Sequence, residues 1–205
     1  MALAGMAAAL SLVEPVSASA NQHHLRPCAG RGVKTILATR AGTVFSLDGV
    51  TYACSRRTGR RYRLAGSRPC AGEGSELSGP VRIAGNRIGY GRVMCGIDFL
   101  PAEVIVRSLR TGRVIRREPA VTDDSGIEPS ESIDAVVLRP GGDVGWIATS
   151  AHPAGEGPPV IEVNRASARG AVLLDSGASI APGSLRLRGS LMTWRDASAV
   201  RSAPL

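Results

Sequence analysis

Beyond the N-terminal region, apolar and polar positions alternate with a period of two. Leu185 and Leu187 alternate with Arg186 and Arg188, Tyr62 and Leu64 with Arg61 and Arg63, and Val50, Tyr52 and Cys54 with smaller residues. Successive side chains of a strand point to opposite faces, so this is the pattern of half-buried antiparallel sheet. No later segment keeps apolar residues at three- and four-residue spacing long enough for an amphipathic helix. The fold class predicted is therefore all-β. Turn signals punctuate the strands at Asp48-Gly49, Thr58-Gly59, Gly85-Asn86, Thr111-Gly112, Gly141-Gly142-Asp143 and Arg188-Gly189.

Aligned on these turns, the chain repeats itself. Arg56-Arg57-Thr58-Gly59-Arg60-Arg61 recurs as Leu109-Arg110-Thr111-Gly112-Arg113-Val114 and, more faintly, around Arg169-Gly170. Tyr90, Trp146 and Trp194 mark a second recurring slot, in the strand before the turn-bearing strand. The two markers agree on unit boundaries. They predict strands at 34–39, 43–47, 50–55 and 60–64, then 81–84, 87–92, 103–109 and 113–117. A third set falls at 133–138, 143–149, 159–165 and 170–175, and a last, one strand short, at 184–188, 190–195 and 198–203. Antiparallel meanders repeating at roughly 45 to 55 residues describe a β-propeller-like array of about four four-stranded blades. A β-sandwich with coincidental repeats is the alternative.

Two pieces, Gly142-Asp143-Val144-Gly145-Trp146-Ile147 and the strand-turn from Val104 to Gly112, resemble bacterial secreted β-propeller repeats of the Tol-translocation-protein-like and WD-type kind. They cover about a third of each unit. The resemblance implies a binding platform, although the family also holds peptidase-associated and lyase members. Ser108 stands where those repeats usually carry an aspartate, and such propellers usually have more blades.

The chain has 205 residues, 43% hydrophobic and 20% charged, enough for a core in one domain. Ala2 to Val13 form an uncharged Ala/Leu-rich run, and Ala18-Ser19-Ala20 offers a small-residue cleavage site. No cation precedes that run, unlike most secretory leaders. The expected organisation is a signal peptide over 1–20, an N-terminal tail over 21–32 and a single domain over 33–205, secreted or exposed on the cell envelope. No apolar stretch reaches a membrane span. Cys28, Cys54, Cys70 and Cys95 suit two disulfides in an exported chain, with Cys28–Cys54 and Cys70–Cys95 favoured among three pairings. Their spacing does not suit zinc.

The formal charge is +8, and Lys34 is the single lysine among 25 cationic side chains. Arginine forks suit phosphate and carboxylate, but GC-rich coding produces the same excess. Arg56, Arg57, Arg60, Arg61 and Arg63 are the candidate anion contacts, and Arg113, Arg116 and Arg117 form a second group, each beside a turn. Along the sequence the arginines are dispersed, which counts against a polyanion-binding face. Two Trp, three Tyr and two Phe give no stacking platform, which disfavours nucleic acid.

Several motifs invite chemistry. Asp175-Ser176-Gly177 resembles the aspartic-protease signature, but no second copy exists to share a proton with it, so it reads as the turn leaving the third unit. After cleavage before Asn21, the amine, two amides and His23 could enclose Cu(II) or Ni(II) in a square plane; the plainer reading is a tail containing His23 and His24. His152 lies in a loop without a nucleophile elbow. Asp123, Asp124, Glu128, Glu131 and Asp134 lack the ligand spacing of a calcium loop and read as a linker. No catalytic residue and no cofactor is expected. The function expected is a non-enzymatic exported module that binds another macromolecule or an envelope polymer through loops. The rivals are an envelope hydrolase or lyase with its site in a central channel, and a polyanion-binding protein.

Overall fold

The computed structural model describes residues 28, 32–66, 74–95, 100–122, 130–151 and 157–205. Among them there is no α-helix, only a single 3-10 turn at Pro182–Ser184. The strands form four antiparallel sheets in sequence order. The first holds β1 (Lys34–Ala38), β2 (Gly42–Leu47), β3 (Val50–Ser55) and β4 (Arg61–Ala65). The second holds β5 (Gly74–Ala84), β6 (Arg87–Cys95), β7 (Ala102–Ser108) and β8 (Val114–Pro119). The third holds β9 (Ser130–Leu138), β10 (Val144–Ala151), β11 (Val160–Ser167) and β12 (Gly170–Ser176). The fourth holds β13 (Arg186–Arg188), β14 (Leu191–Asp196) and β15 (Ala199–Pro204). Every sheet is an up-and-down meander, none closes into a barrel, and the presence of four sheets sets aside the two-sheet sandwich.

The boundaries follow the sequence pattern closely, with one informative exception. β5 begins at Gly74 rather than near 81, because Gly79 and Pro80 form a bulge and not an end: the register slips between Ser78 and Arg82. Proline is tolerated there since β5 is an edge strand, and Gly79 takes the positive φ of 71° that the bend needs.

The sheets stack face to face, and each interface has its own core. Val44, Ala53 and Leu64 of the first sheet meet Ile88, Tyr90 and Ile105 of the second. Val104 and Val106 of the second meet Val136, Trp146 and Ala148 of the third. Ile147 and Val163 of the third meet Met192 and Trp194 of the fourth. The alternation within each strand explains this: on β10, Trp146 and Ala148 point one way and Ile147 the other, so the middle sheets are apolar on both faces. Gly145 lets the fourth sheet approach, since a β-carbon there would strike the Met192 sulfur. The recurring aromatics therefore bury themselves between sheets. Trp146 is 1% exposed and donates its indole N–H to Ala120 O at 2.7 Å, and Trp194 donates to Asp175 Oδ2 at 2.7 Å.

Candidate binding surface

The registers place the two kinds of connection at opposite ends of the stack. At one rim lie the turns between first and second strands and between third and fourth strands. Gly42 pairs with Ser55, Arg87 with Ser108, and Val144 with Ala166, which fixes these ends side by side within each sheet. Contacts between sheets align them: Gly85 lies against Pro140, and Tyr62 reaches the β7–β8 turn. The other rim carries Asp48-Gly49, Ala197-Ser198 and the opposite ends of the strands, where Leu100 bridges to Ser130 and Ile180 to Asp196.

Charge divides along the same axis. The β3–β4 turn presents Arg56, Arg57 and Arg60, and the β7–β8 turn presents Arg110 and Arg113, all exposed. Tyr62 joins them. Its hydroxyl donates to Arg110 O at 3.0 Å, and its ring lies against Gly112, whose φ of 76° turns the chain beneath it. A side chain at 112 would collide with the ring and strain the backbone as well. Arg56 Nε donates to Thr43 Oγ1 at 3.4 Å. Arg61 lies over the buried Phe45 ring, 5.5 Å from its centroid, and Arg63 is exposed beside it on the outer face of the first sheet. Arg56, Arg57 and Arg60 thus stand beside Arg110 and Arg113 although they are distant in the sequence, whereas Arg116 and Arg117 of the second sequence group turn to Glu118 and Glu103.

The carboxylates take the other half of the strands, Asp143 excepted and Asp134 at mid-strand, and they act as clamps. Glu103, 6% exposed, accepts from Arg92 Nε at 2.7 Å and lies 3.3 Å from Arg117 Nε. Glu162, at the matching position of the next sheet, is 2% exposed and accepts from Thr122 N at 2.8 Å and Asn164 Nδ2 at 2.9 Å. Glu131 accepts from Ala102 N at 2.7 Å; burial pushes its carboxyl above the ordinary range, with Glu162 adding to the rise, despite that hydrogen bond. Asp134 accepts from Thr149 Oγ1 at 2.6 Å. Asp196 is held below the usual range, first by the Ser179 hydroxyl and then by Arg201. Burial also raises the Tyr90 phenol, against the pull of Arg107. The signal for Glu103 and Glu162 is present in the sequence, as Ala-Glu-Val and Ile-Glu-Val set a carboxylate on the buried parity of the third strand.

Asp175 is equally committed. Its Oδ2 accepts from Trp194 Nε1 and lies 3.3 Å from Arg201 Nε, while Gly177 N donates to Ile161 O at 3.0 Å. Asp175-Ser176-Gly177 closes β12 and leads out of the third sheet. A cleft of about 430 Å³ is lined by first-strand residues of three sheets, including Arg82, Ile83, Leu138, Arg186 and Leu187, and its described lining holds no carboxylate. Cys28 and Cys54 form a disulfide that fastens the chain before β1 onto the first sheet, and Cys95 is disulfide-bonded too. Cys70 lies outside the described residues, as do His23, His24, His152, Asp123, Asp124 and Glu128, and with them the expected leader over 1–20 and most of the expected tail over 21–32. Among the described residues, no group of three His, Cys, Asp or Glu side chains is placed to hold a metal, and no helix is long and apolar enough to cross a membrane.

No protein-family model, no curated protein and no solved structure matches this chain.

Proposed function

We propose that the protein is an exported, non-enzymatic binding module, a propeller-like array of four blades whose rim turns form the contact surface. The observation that carries the reading is the joining of the β3–β4 and β7–β8 turns by Tyr62 into one exposed surface. The disulfide fits an oxidising compartment outside the cytoplasm. The blade arrangement is supported by the order of each meander and by the way β9 lies between β5 and β13, so that first strands line one cleft as the innermost strands of a propeller do. The likeness of Gly142–Ile147 and Val104–Gly112 to secreted propeller repeats points the same way. Repeats build surfaces, and function resides in what their turns present.

To test this, the oxidised protein is immobilised and challenged with an envelope extract of the producing cell. Retention of a defined component, lost on a denatured control, is the outcome expected. Equal retention by both would remove the support for a binding module.

A further inference from the structure

We propose that the rim built from the β3–β4 and β7–β8 turns takes an extended, carboxylate-bearing polysaccharide; this rests on the binding-module reading above and names its partner. Arg57, Arg60, Arg110 and Arg113 are exposed, and none of their guanidinium groups has an ion pair or a hydrogen bond among the described residues. Toward the opposite rim the pattern reverses. Arg92 and Arg117 pair with Glu103, Arg116 with Glu118, and Arg201 with Asp175 and Asp196. The uncompensated positive field therefore rises on the turn-bearing rim, where it attracts a polyanion.

The spacing indicates an extended ligand. The two turns belong to sheets that share a core, and sheets packed face to face lie about 10 Å apart, so the turns stand in successive ranks. Arg169 continues the series at the β11–β12 turn of the third sheet. A small anion would satisfy one rank only, whereas a chain with a carboxylate on each sugar can engage all of them through the forked hydrogen bonds that guanidinium makes with carboxylate. Single-stranded nucleic acid fits poorly, because binding it requires rings open to stack on bases. Tyr62 is packed against Gly112 with its hydroxyl engaged, and Tyr52 is stacked on Phe45 at 5.7 Å between centroids.

The test measures binding of the oxidised protein to size-defined polygalacturonate, with neutral dextran and a duplex DNA of equal charge as comparisons. The variants are R57Q/R60Q, R110Q/R113Q, their combination, and R195Q as an equal type of change near the opposite rim. Polygalacturonate is expected to bind at least about tenfold more tightly than dextran and to weaken about tenfold or more between about 50 and 200 mM salt. Each double variant is expected to lose about tenfold and the combination about a hundredfold, with R195Q within about twofold, since rim charges act locally. Unchanged far-ultraviolet circular dichroism and urea midpoints verify that the variants fold. Tighter binding of DNA, equal binding of dextran, or equal losses with R195Q would overturn the proposal. The envelope-extract assay separates the two readings. Retention of another component with no polygalacturonate binding would defeat the partner assignment and leave the module standing; retention of nothing would defeat the module itself.

Discussion

Replacing Gly112 by alanine perturbs the place where the first two sheets share a turn. Gly112 has φ 76°, and placing a side chain in that left-handed region costs about 1–2 kcal/mol. The new β-carbon would also occupy the position of the Tyr62 ring. The ring must swing away, and the Tyr62 hydroxyl then gives up its bond to Arg110 O, a loss of about 0.5–1.5 kcal/mol. The expected total is about 2–3 kcal/mol, read as a lower midpoint in urea at unchanged m-value. Two comparisons separate the parts. Gly189→Ala meets the backbone strain alone, because φ is 60° and nothing lies within 4 Å, so it should cost about 1–2 kcal/mol. In a Tyr62→Ala background the collision disappears, so Gly112→Ala should cost about 1 kcal/mol less than in the native protein. Equal costs in both backgrounds would refute the contact between Tyr62 and the β7–β8 turn, and with it the joining of the two arginine groups.

Three further outcomes are expected. Trp146→Phe leaves Ala120 O without its indole donor and opens a cavity between the second and third sheets, a loss of about 2–4 kcal/mol by denaturant melts; a loss below about 0.5 would contradict the interface. Glu131→Gln tests the buried carboxyl. Because the folded-state value is raised, the native protein loses stability as pH climbs from the unfolded value through the folded one. The variant should therefore gain on the native protein over that interval and show no gain below it, measured as the difference in urea midpoint at pH 4 and pH 7. A constant difference would deny the burial. Cys28→Ser with Cys54→Ser opens a bridge spanning a sequence separation of 26 and should cost about 2–4 kcal/mol by the same melts under oxidising conditions.

Strand positions were legible because alternation, Gly-containing turns and the aromatic slot are local signals. Asp48-Gly49 closes β2 onto β3, and Trp146 and Trp194 fall on the second strands of their sheets. The early start of β5 was not legible: Gly79-Pro80 signals an end, and only its position on a sheet edge turns it into a bulge. The surface was half legible. Arg56 to Arg63 stand out as a run, but their neighbourhood with Arg110 and Arg113 arises from packing, through Tyr62 and a glycine whose role no local pattern shows. The clamps Glu103 and Glu162 are marked in the sequence only by the apolar neighbours of Ala-Glu-Val and Ile-Glu-Val, and their partners Arg92 and Thr122 are met only in the folded chain.

The most direct test of the account is amide hydrogen exchange of the oxidised protein with and without whatever component the envelope-extract assay captures. Slowed exchange over 56–60 and 109–113 is the result predicted. Protection confined to Asp48-Gly49 and Ala197-Ser198, at the opposite rim, would contradict it.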